Sequence, residues 1–190
     1  MILQIYRERL KPGADASYHA IEEETARLAV ALGCPHAYLG AESLDGLNEV
    51  WWFNAYASPD EPQRVAAQYA ANTEWMAALV RNSERKASLT RDPVEVFAAL
   101  RRDLTRGDPW TPGRGRFLTV EIASGDARLA GTVFEASDGT RYVIAPAQTR
   151  ADADAARAAA GAESFTLAVR PTLSFPAPDW IATDEAFWQR

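Results

Sequence analysis

Leu47-Asn48-Glu49-Val50-Trp51-Trp52-Phe53-Asn54-Ala55-Tyr56-Ala57 is the stretch whose reading decides the fold. It is short, rich in aromatic and β-branched residues, and bounded by Asp45-Gly46 and Ser58-Pro59-Asp60, so it reads as a strand. Alternation places Val50, Trp52, Asn54 and Tyr56 on one face and Trp51, Phe53 and Ala55 on the other. Both faces are apolar, and such a strand needs cover on both sides. Asn54 is the exception. A buried amide must find hydrogen-bond partners, either on the backbone or in a polar cavity.

Upstream, Ile2 to Leu10 reads as a strand ended by Lys11-Pro12-Gly13. A helix follows, with Asp15 as its expected N-cap and an apolar stripe of Tyr18, Ile21, Thr25, Leu28 and Leu32. Glu22-Glu23-Glu24 is read as its solvated side. Gly33 ends the helix, and His36 to Glu42 forms a short second strand. Downstream, Ser58 at the N-cap, Pro59 and Glu61 announce a helix whose stripe runs Val65, Tyr69, Asn72, Trp75 and Leu79. Asn72 on that stripe marks a kink or a restart. Ser88 to Thr90 is read as a brief fourth strand. Asp92-Pro93-Val94-Glu95 is read as opening a short helix that turns Val94, Phe97, Leu100 and Leu104 inward.

The first half is thus β-α-β-β-α, the split βαβ or ferredoxin-like unit, with helices on one face of an antiparallel sheet. The other face of the Trp51-Trp52 strand needs a second cover. That cover is either the C-terminal half or another copy of the same sheet. The expectation is a homodimer through this sheet, burying more than the ~1,200 Å² at the low end of stable interfaces.

Thr105 to Gly115, dense in Gly and Pro, separates residues 1–104 from residues 116–190. The second segment reads as β-rich α+β. Leu118, Val120 and Ile122 alternate. Thr132–Ala136 and Arg141–Ala145 flank the hairpin signal Asp138-Gly139, and an alanine-rich helix covers Asp152 to Ala160. Phe165, Leu167 and Val169 form a last strand, and Asp179 to Trp188 is expected as a docking turn. The fold class is α+β.

The 190 residues are 47% hydrophobic and 24% charged, ordinary for a globular chain, and the net charge of -6 argues against nucleic acid or an anionic membrane as partner. Cys34 is the only cysteine, so no internal disulfide or thiolate cluster can form. The opening residues lack the basic region of a signal peptide, and no apolar run reaches the ~18 residues of a membrane span. The expected location is cytoplasmic.

Ile5-Tyr6-Arg7-Glu8-Arg9-Leu10-Lys11-Pro12-Gly13 with Tyr18 behind it resembles the opening of NIPSNAP-like proteins of the dimeric α/β-barrel superfamily. Gly46-Leu47-Asn48-Glu49-Val50-Trp51-Trp52, then Tyr56-Ala57-Ser58, Arg64 and Trp75, resembles that family's third strand and second helix. The resemblance spans roughly residues 1–90. It implies two sheets packed face to face into a barrel. The superfamily includes cofactor-free oxygenases, decarboxylases and haem-degrading enzymes that hold substrates in a cleft between sheet and helices.

Candidate ligand-binding residues are therefore Tyr18, Trp52, Asn54, Tyr56 and Trp75, with His19 as candidate acid or base beside Tyr18 and with His36 and Tyr38 as further polar groups. For each there is a plain structural alternative: His19 on a charged helix surface, His36 at a loop edge, the tryptophans as core or dimer contacts. Two unclustered histidines and one cysteine give no metal site, and no phosphate loop or nucleophile elbow is present. No cofactor is expected. The functional expectation is a small apolar or aromatic ligand, with a cofactor-free oxygenase-type enzyme as its catalytic form. The alternative is a non-catalytic scaffold acting as a homodimer.

Overall fold

The computed structural model describes residues 1–34, 36, 38–106 and 115–175. Among these residues, eight antiparallel strands close into one barrel within the single chain. They are β1 (Ile2–Leu10), β2 (Leu39–Ser43), β3 (Glu49–Tyr56), β4 (Thr90–Leu100), β5 (Phe117–Ala123), β6 (Thr132–Ala136), β7 (Arg141–Ala147) and β8 (Ser164–Val169). Among the described residues, four α-helices pack outside: α1 (Asp15–Ala31), α2 (Glu61–Ala71), α3 (Thr73–Ala87) and α4 (Arg150–Ala159).

The order around the barrel is β1-β3-β2-β8-β5-β7-β6-β4. Read in halves, the first four strands run β4-β1-β3-β2 and the last four run β8-β5-β7-β6. This is the same ferredoxin-like order twice, with seams at β2–β8 and β4–β6. Segments 1–104 and 116–190 thus contribute four strands each to one sheet. The boundary stretch 105–115 lies largely outside the described residues, and the expected tail turn at Asp179–Trp188 lies wholly outside them.

The question of the second cover is answered inside the chain. Trp51 and Phe53 point into the barrel with Leu3, Ile5, Leu118, Val120, Phe134, Ile144 and Leu167, all fully or almost fully buried. Trp51 meets Phe165 of the second half at 5.0 Å between ring centroids. A homodimer built on this face is therefore replaced by intrachain packing, because the second half already occupies it. Arg7 closes one end of this core, its guanidinium 5.0 Å over Trp51 and 5.5 Å over Phe165.

Two helix starts differ from expectation. Asp15 is the first helical residue rather than the cap, and α2 begins at Glu61 with Asp60 as cap. Asn72 does restart the helix, ending α2 and capping α3 by accepting a hydrogen bond from the Trp75 N–H at 3.0 Å.

The expected helix from Asp92 is instead the long strand β4. Two strands, β1 and β6, need a partner there, and Val94, Val96, Ala98 and Leu100 alternate well enough to supply it. Asp92 and Pro93 lie together opposite Glu8, a bulge that accommodates a residue without an N–H. Tertiary pairing outweighs the local capping signal. No helix among the described residues is long and apolar enough to cross a membrane.

Candidate functional site

On the outer side of the first half, the helices stand away from the sheet and leave a cavity of about 390 Å³. Its floor is the outward face of β1 and β3, carrying Gln4, Tyr6, Trp52, Asn54 and Tyr56. The parity of β3 is thereby settled: Trp51 faces the barrel core, whereas Trp52, Asn54 and Tyr56 face the helices. Walls come from Glu22 of α1, Val65 and Tyr69 of α2, and Trp75 and Lys86 of α3, with Tyr38, Phe97 and Phe175 beside them.

Packing sets each aromatic group. Trp52 lies flat over β2, where a Cβ at Gly40 would come within 2.8 Å of its ring, so only glycine admits this orientation. Tyr38 meets Trp52 edge-on at 5.6 Å and stacks on Phe175 at 5.3 Å. Trp75 adjoins Tyr69 at 5.6 Å. The result is an aromatic cleft with a polar floor, the usual make-up of a small-molecule site.

The polar groups form two networks. In the first, Asn54 Nδ2 and the Tyr56 hydroxyl both donate to Gln4 Oε1, at 2.9 and 3.0 Å. Gln4 Nε2 donates to Glu95 at 2.5 Å. Asn54 is 2% exposed and its Oδ1 has no hydrogen-bond partner among the described residues. The same holds for the Trp75 indole nitrogen, on a residue 3% exposed. An unmatched buried polar atom costs on the order of 1–3 kcal/mol, so two beside one cavity are notable.

The second network lies at the α1–α3 end. Glu8 accepts from the Tyr18 hydroxyl at 2.5 Å and the Tyr6 hydroxyl at 3.1 Å, and Trp52 Nε1 donates to the Tyr18 oxygen at 3.3 Å. Lys86 pairs with Glu22 across the helices, and its ammonium lies 5.6 Å over the Tyr18 ring. Burial pushes the Glu22 carboxyl up and outweighs the opposing pull of Lys86. Burial, together with the neighbouring carboxylates, likewise raises the Tyr6 and Tyr18 hydroxyls, while Tyr56 is raised to about 12.

The structure brings Trp52, Asn54, Tyr56 and Trp75 around one cavity. Tyr18 sits behind the floor, fully buried, and reaches the cavity through Trp52 and Glu8. His19 is elsewhere: it pairs with Glu42 in a shallow depression shared with Arg170. The reason is helical geometry, since consecutive side chains diverge by about 100° and Tyr18 takes the inward direction. His36 stacks on Tyr56 with centroids 4.4 Å apart, and burial lowers its pKa against the opposing influence of Glu61.

Glu22 is the principal correction. Expected on a solvated face, it is 5% exposed and lines the cavity. The helical period does carry a signal, since Glu22 lies four residues after Tyr18 and three before Thr25, on the inward side; the charge of the three-glutamate run masks it. Tyr69 is legible only as part of the helix stripe, and Gln4, Tyr6, Lys86 and Phe175 carry no site signal in the sequence, because the elements carrying them meet only in three dimensions.

No family model matches the chain, and no curated protein does. Among solved structures, a proposed monooxygenase of Fusobacterium nucleatum is 8% identical, covering 88% of this chain and 91% of its own, with a TM-score of 0.58. A proposed monooxygenase of Lactobacillus acidophilus is also 8% identical, covering 88% and 93%, with a TM-score of 0.50. An uncharacterised NIPSNAP domain protein of Burkholderia xenovorans is 20% identical over 51% of this chain and 91% of its own, with a TM-score of 0.41. At such identities the first two matches speak for architecture. The fold is that of the ferredoxin-like α/β barrels.

Proposed function

We propose that this protein binds a small, largely apolar or aromatic molecule in the cleft between the β1/β3 face and helices α1 to α3. The observation that carries this reading is the 390 Å³ cavity lined by aromatic rings, with the buried Asn54 Oδ1 and Trp75 indole nitrogen both unmatched beside it. Native mass spectrometry of the purified protein should show a retained molecule, or titration with aromatic compounds should quench tryptophan emission through Trp52 and Trp75. Asn54→Leu should weaken binding at least tenfold with an unchanged circular dichroism spectrum. Binding equal to the parent protein would remove the Asn54 amide from the site.

The proposed-monooxygenase neighbours and the NIPSNAP likeness of residues 1–90 suggest a cofactor-free oxygenase as the catalytic form of this reading. Pocket-lining Tyr6 and Glu22 are the groups placed to handle a proton there. Oxygen consumption with a bound phenolic compound, lost in Glu22→Gln, is the corresponding assay.

The scaffold reading, with a homodimer as its working form, needs an exposed apolar surface other than the occupied Trp51 face. Phe97 on the outer face of β4, 46% exposed, is its supporting feature. Sedimentation at micromolar concentration, repeated with Phe97→Ser, tests it. The cavity supports the ligand-binding reading more directly.

A further inference from the structure

Hydrogen bonding along the cavity lining leaves three tyrosine oxygens as acceptors for a ligand. Tyr6 gives its hydroxyl hydrogen to Glu8, Tyr56 gives its own to Gln4, and Tyr69 gives its own to the His36 carbonyl. A phenol has one O–H, so each of these oxygens has only lone pairs left. Asn54 uses Nδ2 on Gln4 and retains a buried, unmatched Oδ1. Donors remain as well: the Tyr38 hydroxyl, the second hydrogens of the Asn54 and Gln4 amides, and the Lys86 ammonium, which Glu22 already engages.

Charge points the same way. Within the lining, Glu22 and Lys86 offset each other. Glu8 stands directly behind Tyr6 and Glu95 directly beyond Gln4, and neither is in an ion pair among the described residues. The Tyr6, Tyr38 and Tyr56 hydroxyls respond to this field: burial is the first cause of their raised pKa values, and Glu95 adds to all three. An anionic ligand would meet these carboxylates with the nearest ammonium already occupied. The rings of Tyr6, Tyr38, Trp52, Tyr56, Trp75 and Phe97 surround the space, and aromatic faces attract cations.

We infer that the cavity takes a protonated amine carried on an aromatic or apolar body, an arylalkylammonium. The ammonium hydrogens meet the tyrosine lone pairs of the lining, and the body stacks among the rings. This inference rests on the ligand-binding reading above and narrows it to one charge class.

The test uses three probes of similar shape and different charge: 2-phenylethylamine, 2-phenylethanol and phenylacetate, titrated at neutral pH with tryptophan emission as readout. The amine should bind at least tenfold more tightly than the alcohol, and phenylacetate more weakly than either. Raising the salt concentration should weaken the amine and leave the alcohol unchanged. Glu95→Gln, which keeps an acceptor for Gln4, should weaken the amine about threefold and leave the alcohol unaffected. Equal binding of amine and alcohol, or tighter binding of phenylacetate, overturns the charge assignment and leaves the ligand-binding reading standing. Failure of all three probes overturns it as well. If, in addition, no retained molecule is found, the cleft itself is not a ligand site.

Discussion

The two halves of the barrel share one strand order and differ in what lies outside it. Outside the first half, β1 and β3 present Gln4, Tyr6, Trp52, Asn54 and Tyr56, and three helices stand off to leave a cavity. Outside the second, the matching strands β5 and β7 present Thr119, Glu121, Val143 and Ala145 to an alanine-rich helix. There α4 lies close enough for the Thr119 hydroxyl to donate to the Ala153 carbonyl at 2.9 Å. Each half buries one strand glutamate on its outer sheet face. Glu8 is held by two tyrosine hydroxyls beside the cavity, whereas Glu121 is held by the backbone N–H groups of Arg128 and Leu129. One topology thus serves as a site or as a plug, according to side-chain size on the outer face and the distance of the helix.

The strongest way to break this comparison is to disturb the core that both halves share. Trp51→Ala should cost about 3–5 kcal/mol by emptying a large volume between β3 and β8. Denaturant unfolding followed by far-UV dichroism and tryptophan emission should still show one coincident transition. Two separated transitions would mean that the halves are independent units.

Overpacking should then separate the outer layers. Ala153→Leu, on the fully buried face of α4, should destabilise by about 1–3 kcal/mol. Ala66→Leu, at the exposed rim of the cavity, should stay within about 0.5 kcal/mol while reducing ligand affinity. Equal thermal shifts for the two variants would show that the cavity layer is as closely packed as the other.

A change of about 1–2 kcal/mol is expected for Gly139→Val in the β6–β7 turn. Gly139 has φ of 86°, a conformation that a β-branched residue adopts only with strain. An unchanged melting temperature would show that the turn relaxes freely.

The smallest expected effect is also the most particular, because acid titration should have opposite signs in the two halves. Burial raises the folded pKa of Glu22 above the ordinary carboxylate range. Its contribution is therefore fully present below that range and is lost as pH rises through the folded pKa. Arg141 lowers the folded pKa of Glu135, so its contribution is present above the ordinary carboxylate range and is lost as pH falls through the folded pKa. Stability of Glu22→Gln relative to the parent should rise with pH from the ordinary carboxylate range upward, and that of Glu135→Gln should rise on acidification. Parallel pH profiles for the two variants would refute the assignment.

Much of the fold is local enough to read along the chain. The boundaries of β1 and the existence of β3, β5, β6, β7 and β8 follow from alternation and turn chemistry. The Asn72 restart and the Gly139 hairpin follow from residues that satisfy backbone groups or tolerate positive φ over a few positions. Four of the cavity residues, Trp52, Asn54, Tyr56 and Trp75, were also legible, because an amide among aromatics on one strand face needs an explanation whichever way it points.

Other features are decided only when distant segments meet. Both faces of β3 are apolar, and a period of two cannot say which one meets helices; the second half decides by claiming Trp51 and Phe53 for the barrel. Asp92-Pro93 reads locally as a helix start, yet β1 and β6 each lack a neighbour, and their unpaired backbone groups recruit the segment as β4. Glu22 reads as solvated among three glutamates until α3 brings Lys86 against it. Local propensity and periodicity specify what a segment can be. The pairing of backbone hydrogen bonds and the burial of charge, which depend on partners remote in sequence, specify what it becomes.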